Sequence, residues 1–179
     1  MSIFLKEINL TKKTALITGA TKGLGRGAAI ALAQAGANII AIGRNQKELE
    51  SLGKLIKKLK VKYNFFNCDV NDYKSIKLYI SKLKKLDILV NNAGTNIPEP
   101  FLQVKKSSLE TLLNVNTKAV FNLAQICANQ IIKINKKGGS IINISSIFGL
   151  VAGQKRTVYS MTKFGIEGLT KGMGVELAK

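Results

Sequence analysis

Strand-like and helix-like stretches alternate along this chain almost from its start, and no other feature narrows its fold as much. Thr14–Thr18 is a short apolar run that ends in glycines, and Leu24–Ala35 then has helical spacing closed by Gly36. Asn38–Ile42 reads as a second strand. Gln46–Lys60 follows as a helix, with Leu49, Leu52, Leu55, Ile56 and Leu59 on one stripe. Val61–Cys68 and Asn71–Lys85 repeat the pair, and Asp87–Val90 makes a fourth strand. A long helical region from about Ser107 to Lys133, a strand at Ser140–Ile144 and a helix at Thr157–Leu177 complete the pattern. Strands separated by helices of this length form βαβ units. The expected class is α/β: a doubly wound parallel sheet in three layers, helix on sheet on helix. Right-handed crossovers then put a ligand at the carboxyl ends of the strands, near the point where strand order reverses. No linker, repeat or low-complexity stretch interrupts the chain, so a single domain over residues 1–179 is expected.

The formal charge of +18 raises the question of nucleic acid or an anionic membrane as partner. Lys54, Lys57, Lys58, Lys60 and Lys62, then Lys82, Lys84 and Lys85, mostly fall on expected helix surfaces. Aromatic residues do not interleave with them as a base-stacking platform requires. A lysine-rich solvated surface, with no nucleic-acid partner, is the expectation. The most hydrophobic stretch, Ala28–Ile42, is broken by Gln34, Gly36 and Asn38, which speaks against a membrane span. Met1–Lys13 has no apolar core of leader length, so the cytoplasm is the expected compartment. Two cysteines without ligand spacing, and no histidine, argue against a metal site.

Thr18-Gly19-Ala20-Thr21-Lys22-Gly23-Leu24-Gly25 lies between the first strand and the first helix. A dinucleotide site needs its glycines there: Gly19 for the tight turn, Gly23 for backbone approach to a pyrophosphate, Gly25 for close helix packing. The helix N-terminus adds partial positive charge for the phosphates. An acid at the end of the second strand would bind a ribose 2′-hydroxyl and favour NAD. Ala41-Ile42-Gly43-Arg44-Asn45 has none. Arg44 suits adenine stacking and a 2′-phosphate, and Lys22 reaches toward the same group, so NADP(H) is the preferred cofactor, with NAD(H) possible.

The Gly-x-x-x-Gly-x-Gly spacing, with its preceding Thr, resembles the short-chain dehydrogenase/reductase family. The resemblance implies that Thr21 and Leu24 join the glycines around the cofactor, and that Asp69-Val70 contacts adenine. It also matches Asn91-Asn92-Ala93-Gly94 to the family's Asn-Asn-Ala-Gly, placing Asn91, Ala93 and Gly94 along the adenosine pocket.

Tyr159-Ser160-Met161-Thr162-Lys163 carries the family's Tyr-x-x-x-Lys. Residues four apart share a helix face, and a cation near the phenol favours phenolate over a reference pKa near 10. A tyrosine so placed can donate a proton to a carbonyl as hydride arrives, or take one in reverse. Tyr73 and Lys77 have the same spacing but fall on an expected surface helix before Asn91, and are taken as a decoy. By resemblance, Ser146 is the serine that hydrogen-bonds the substrate oxygen, with Ser145 as its alternative. Asn116 is the helix asparagine that holds a relay water, and Lys163 also binds the nicotinamide ribose.

Two segments, Gly23–Gly27 with Leu32–Gly36 and Lys171–Lys179, resemble 2-deoxygluconate and gluconate 5-dehydrogenases, and less specifically 3-oxoacyl-acyl-carrier-protein reductases. They imply a small carbonyl or alcohol substrate, a sugar acid or polyol before an acyl-carrier thioester. Relatives continue past this last helix into further strands and a lid, so the end at Lys179, without a stop signal, reads as a truncation. The fifth strand is then expected to present an apolar open edge. The long helices and Gly165, Gly168 and Gly172 imply a homo-oligomer, a dimer or tetramer.

Overall fold

The computed structural model describes residues 8–135 and 137–178. Residues 1–7 and Lys179, on which the leader and chain-end expectations fall, lie outside the described residues. The elements run β1 (Thr14–Thr18), α1 (Gly23–Gln34), β2 (Asn38–Gly43), α2 (Gln46–Lys57), β3 (Tyr63–Asn67), α3 (Tyr73–Ser81) and β4 (Ile88–Asn91). They continue with α4 (Lys106–Leu113), α5 (Ala119–Ile134), β5 (Ser140–Asn143) and α6 (Thr157–Leu177).

Among the described residues the five strands form one sheet, ordered β3-β2-β1-β4-β5, with every neighbouring pair parallel. Strand periodicity sorts β1 between two cores. Ala15 and Ile17 pack with Ala29 and Ala33 of α1 and with Leu49, Leu52 and Ile56 of α2. Leu16 faces the other way, to Ile76 and Ile80 of α3 and to Leu123, Cys127 and Ile131 of α5. In register, Leu16 lies between Ile40 and Leu89, and Leu89 pairs on its far side with Ile141. Both faces are covered, and so β1 and β4 are buried along their whole length as continuous apolar runs. The chain leaves β1 toward β2 but leaves β4 toward β5, which opens a crevice between their carboxyl ends.

The differences from expectation have local causes. The second helix stops at Lys57, and Lys60 turns the chain with φ of 58° before β3. The third starts only after Asp72, whose carboxylate accepts the Ser75 N–H at 3.1 Å. The long helix near residues 107–133 is two helices joined by a π turn at Asn114–Lys118. Short 3₁₀ turns occupy Phe101–Gln103 and Ile147–Gly149. β5 is an edge strand in this sheet, and its Ile142 is 45% exposed. No helix among the described residues is long and apolar enough to cross a membrane. No cluster of three or more His, Cys, Asp or Glu suited to a metal occurs among them either.

Candidate active site

The crevice begins with a knot between the glycine turn and the loop after β4. Thr18 Oγ1 accepts the backbone N–H groups of Asn92 and Ala93, each at 3.0 Å. The Asn92 amide donates back to the carbonyls of Thr18 at 3.0 Å and Gly19 at 3.2 Å. Gly19, at φ of 63°, lies so close to this loop that a Cβ would sit 2.9 Å from Ala93 Cα. At Gly25 a Cβ would run into the Asn92 side chain and the Gly19 carbonyl. The two glycines therefore serve the knot. Asn92 was not among the residues the sequence singled out for the cofactor, and only its place in Asn-Asn-Ala-Gly hinted at it. Asn91 turns inward, 2% exposed, and its amide donates to Asn143 Oδ1 at 2.9 Å, tying β4 to β5.

A pyrophosphate fits the open side of this turn. Gly23, at φ of 55°, has no atom within 4 Å of where a Cβ would be. Lys22 precedes α1 in extended conformation without a side-chain cap, and the first turn holds no acid. The helix's first N–H groups are thus left for an anion. Leu24 is 74% exposed beside them. Thr21 rests its methyl against Gly43 at the end of β2, where a Cβ would approach to 2.7 Å. Next to Gly43, Arg44 makes an exposed ion pair with Asp69 at 3.5 Å. Such a pair holds weakly in water. Asp69 also accepts the Asn71 N–H at 2.9 Å, while Val70 packs on the core around Leu16.

The second half of the site gathers on the other side of β4. Lys163 is 6% exposed and donates from Nζ to the Ile144 carbonyl at 2.7 Å. Burial pushes its pKa down. The ammonium lies 5.8 Å from the centre of the Tyr159 ring, and Phe148 meets that ring edge-on, with centres 6.1 Å apart. Asn116, fully buried in the π turn, accepts the Thr95 N–H at 2.8 Å and donates to the Thr95 carbonyl at 2.8 Å and to Thr162 Oγ1 at 3.2 Å. Its side chain thereby clamps the loop after β4 to α6. A Cβ on Gly94 would lie 3.4 Å from Asn116 Oδ1 and 3.9 Å from Lys163 Nζ, so these three positions meet. The roles of Thr95 and Thr162 left no mark in the sequence. The two serines part company: Ser146 Oγ accepts the Phe148 N–H at 3.2 Å, whereas Ser145 Oγ is buried under Gly149 without a hydrogen-bond partner. A phenol, a buried ammonium and a serine hydroxyl on adjoining elements form a set able to pass a proton to or from an oxygen.

The family described as short chain dehydrogenase matches residues 13–179. The 3-oxoacyl-acyl-carrier-protein reductase of Rickettsia conorii is 37% identical over 171 residues, covering 96% of this chain and 69% of that protein. The L-xylulose reductase of Mus musculus is 35% identical over 171 residues, covering 96% and 68%. Among solved structures, a gluconate 5-dehydrogenase from Burkholderia cenocepacia J2315, in complex with NADP and tartrate, superposes with a TM-score of 0.89 at 32% identity. That match covers 98% of this chain and 69% of the other. The parallel sheet, the glycine knot and these matches agree: this chain belongs to the short-chain dehydrogenase/reductase family of NAD(P)-dependent oxidoreductases.

Proposed function

We propose that this chain, acting as one domain over residues 1–179, transfers hydride between NADP(H) and a small carbonyl or alcohol substrate, a sugar acid or polyol first. The observation that carries it is Lys163, a buried cation held by the Ile144 carbonyl beside the Tyr159 ring. When bound, the nicotinamide supplies or takes up the hydride. Tyr159 gives its phenolic proton to the carbonyl oxygen in reduction and recovers it in oxidation. Lys163 stabilises the phenolate left behind. Ser146 holds the substrate oxygen against the phenol. Asn116 and Thr162 keep α6 and the loop after β4 at the spacing this requires, and a water relay toward Lys163 would start from Asn116.

The preference for NADP(H) is supported by Arg44, exposed and only loosely paired, and by the lack of an acid after β2. Assembly as a homo-oligomer is supported by an open groove of about 300 Å³ between α5 and α6, lined by Phe121, Ala128, Ile132, Leu169 and Met173. Cys68 and Cys127, both free thiols, suit the cytoplasm. A 3-oxoacyl thioester is the second reading, favoured by the identity to the Rickettsia reductase.

Thermal unfolding with and without NADPH tests the proposal. Ligand at 100 times its dissociation constant adds about 2.7 kcal/mol, roughly 5–10 °C here, and NADH at equal concentration should add less. A transition that NADPH does not move refutes the cofactor site, and an equal shift from NADH refutes the preference. NADPH-linked turnover of sugar acids, polyols and 3-oxoacyl thioesters then separates an active enzyme from a nucleotide-binding fragment.

A further inference from the structure

We infer that Phe148 is a positioning residue of this site: its ring holds the Tyr159 phenol and its backbone holds the Ser146 hydroxyl, so that both meet one substrate oxygen. This rests on the oxidoreductase reading and adds to it a residue that acts through two others.

A phenol that passes a proton to a substrate cannot have its oxygen tied up by the protein. Tyr63 shows the ordinary alternative, since its Oη is fixed by donating to the Leu49 carbonyl at 2.6 Å. Tyr159 has to be held by its ring instead. Lys163 gives that ring one contact, with Nζ 5.8 Å from its centre. Phe148 gives the other: the two ring planes stand at 78° with centres 6.1 Å apart. That separation is inside the range of roughly 4.5–7 Å in which edge-to-face rings attract. A neighbour so placed opposes rotation of the phenol about its Cα–Cβ bond.

The same residue reaches Ser146 through its main chain. Its N–H donates to Ser146 Oγ at 3.2 Å, which leaves the serine O–H to donate to a substrate oxygen. The short turn Ile147–Gly149 that carries Phe148 is pressed onto α6, where a Cβ on Gly149 would lie 3.2 Å from the Lys163 carbonyl. A shift of Phe148 is therefore passed to the phenol and to the hydroxyl alike.

Gly153 fixes where the Phe148 ring can lie. The three heavy atoms nearest to a Cβ on Gly153 all belong to that ring, at 2.6, 3.1 and 3.6 Å. The loop carrying Gly153 is fastened on two sides. Its Gly153 carbonyl accepts the Arg156 N–H at 3.2 Å, and its Lys155 carbonyl accepts the Glu99 N–H at 3.2 Å. Phe148 is thus wedged between a fixed wall and Tyr159. A smaller side chain at Phe148 leaves slack, and a side chain on Gly153 drives the ring out of place. Gly153 does not have the left-handed backbone that would strain an alanine, so the ring alone opposes Gly153→Ala.

The test is steady-state kinetics of wild type, Phe148→Leu, Gly153→Ala and the double variant, with calorimetric NADPH binding for all four. D-gluconate and xylitol are offered with NADP⁺, and a 3-oxoacyl thioester with NADPH. Each single variant should lower kcat by roughly 10–100-fold, as small misplacements of a reacting group do. KM and NADPH affinity should stay within about three-fold of wild type. The double variant should be no slower than Phe148→Leu alone, because the smaller side chain makes room for the alanine and both changes act through one ring. A raised KM with kcat intact would make Phe148 a wall of the substrate pocket and overturn the inference. Additive losses in the double variant overturn it, and so does NADPH affinity that falls together with kcat, which marks a folding role. If wild type turns over none of the three substrates, the oxidoreductase reading falls and the inference with it. Wild-type turnover that both single variants keep sinks Phe148 alone.

Discussion

Two tyrosine–lysine pairs in this molecule have the same spacing and the same reach, and differ in surroundings. Lys77 Nζ and Lys163 Nζ each lie 5.8 Å from the ring centre of the tyrosine four residues before. Lys77 is an exposed residue on the outer face of α3. Lys163 is 6% exposed, fixed to the Ile144 carbonyl, with its pKa lowered by burial. Helix geometry produces the contact in both places, since residues four apart always share a face. Only the second ammonium is buried, held by the Ile144 carbonyl beside the ring of its tyrosine. Spacing makes a pair, and burial makes it usable.

The comparison can be broken most severely by removing each phenolic oxygen in turn. Tyr159→Phe should lower turnover by roughly 10²–10⁴-fold, the range for a positioned acid–base group, and leave NADPH affinity nearly unchanged. Tyr73→Phe should leave both unchanged. Steady-state kinetics followed by NADPH absorbance checks the first point and calorimetric titration the second. Turnover that survives Tyr159→Phe would mean that the buried pair is no more functional than its exposed counterpart.

The same contrast explains what could be read without a structure. Alternating strands and helices were legible because a parallel sheet buries both faces and so writes uninterrupted apolar runs; β1 has the bounds expected of it, Thr14–Thr18. The glycine turn was legible because its conformations need glycine locally, as at Gly19 and Gly23. The π turn at Asn114–Lys118 was not. It coincides with Asn116, whose partners are Thr95, 21 residues away, and Thr162, 46 away, and no local pattern encodes such bonds. The part played by Asn92 was hidden for the same reason, since it depends on the Gly19 carbonyl, 73 residues away.

Glycines on α1 sharpen the point at a smaller scale. Gly25 and Gly27 are two residues apart on one helix, yet a Cβ on the first collides with Asn92 and the Gly19 carbonyl while the second has nothing within 4 Å. Gly25→Ala should therefore destabilise by about 1–3 kcal/mol, as overpacking does, and weaken NADPH by disturbing the knot. Gly27→Ala should be neutral or stabilise by up to about 1 kcal/mol through helix propensity. Denaturant melts of the two variants, with and without NADPH, decide it. Equal effects would show that the knot yields more readily than its hydrogen bonds suggest.

The smallest expected effect returns to the lysines and concerns pH. A lysine whose pKa is lowered in the folded state releases its proton earlier there than in the unfolded chain. Between that lowered value and about 10.4 the unfolded state binds more protons, so stability rises with pH across this window. Other groups oppose the trend. Burial raises Cys127 and Tyr63 to about 12 each, so the stability they contribute is fully present below their unfolded pKa values and is lost as pH climbs toward 12. The net alkaline profile hides Lys163 among them. A difference isolates it: the stability of wild type minus that of Lys163→Met, measured by urea melts from pH 7 to 10.5, should rise with pH. A flat difference would mean that the Lys163 ammonium keeps its hydration in the fold, and the distinction between the two pairs would then rest on the Ile144 hydrogen bond alone.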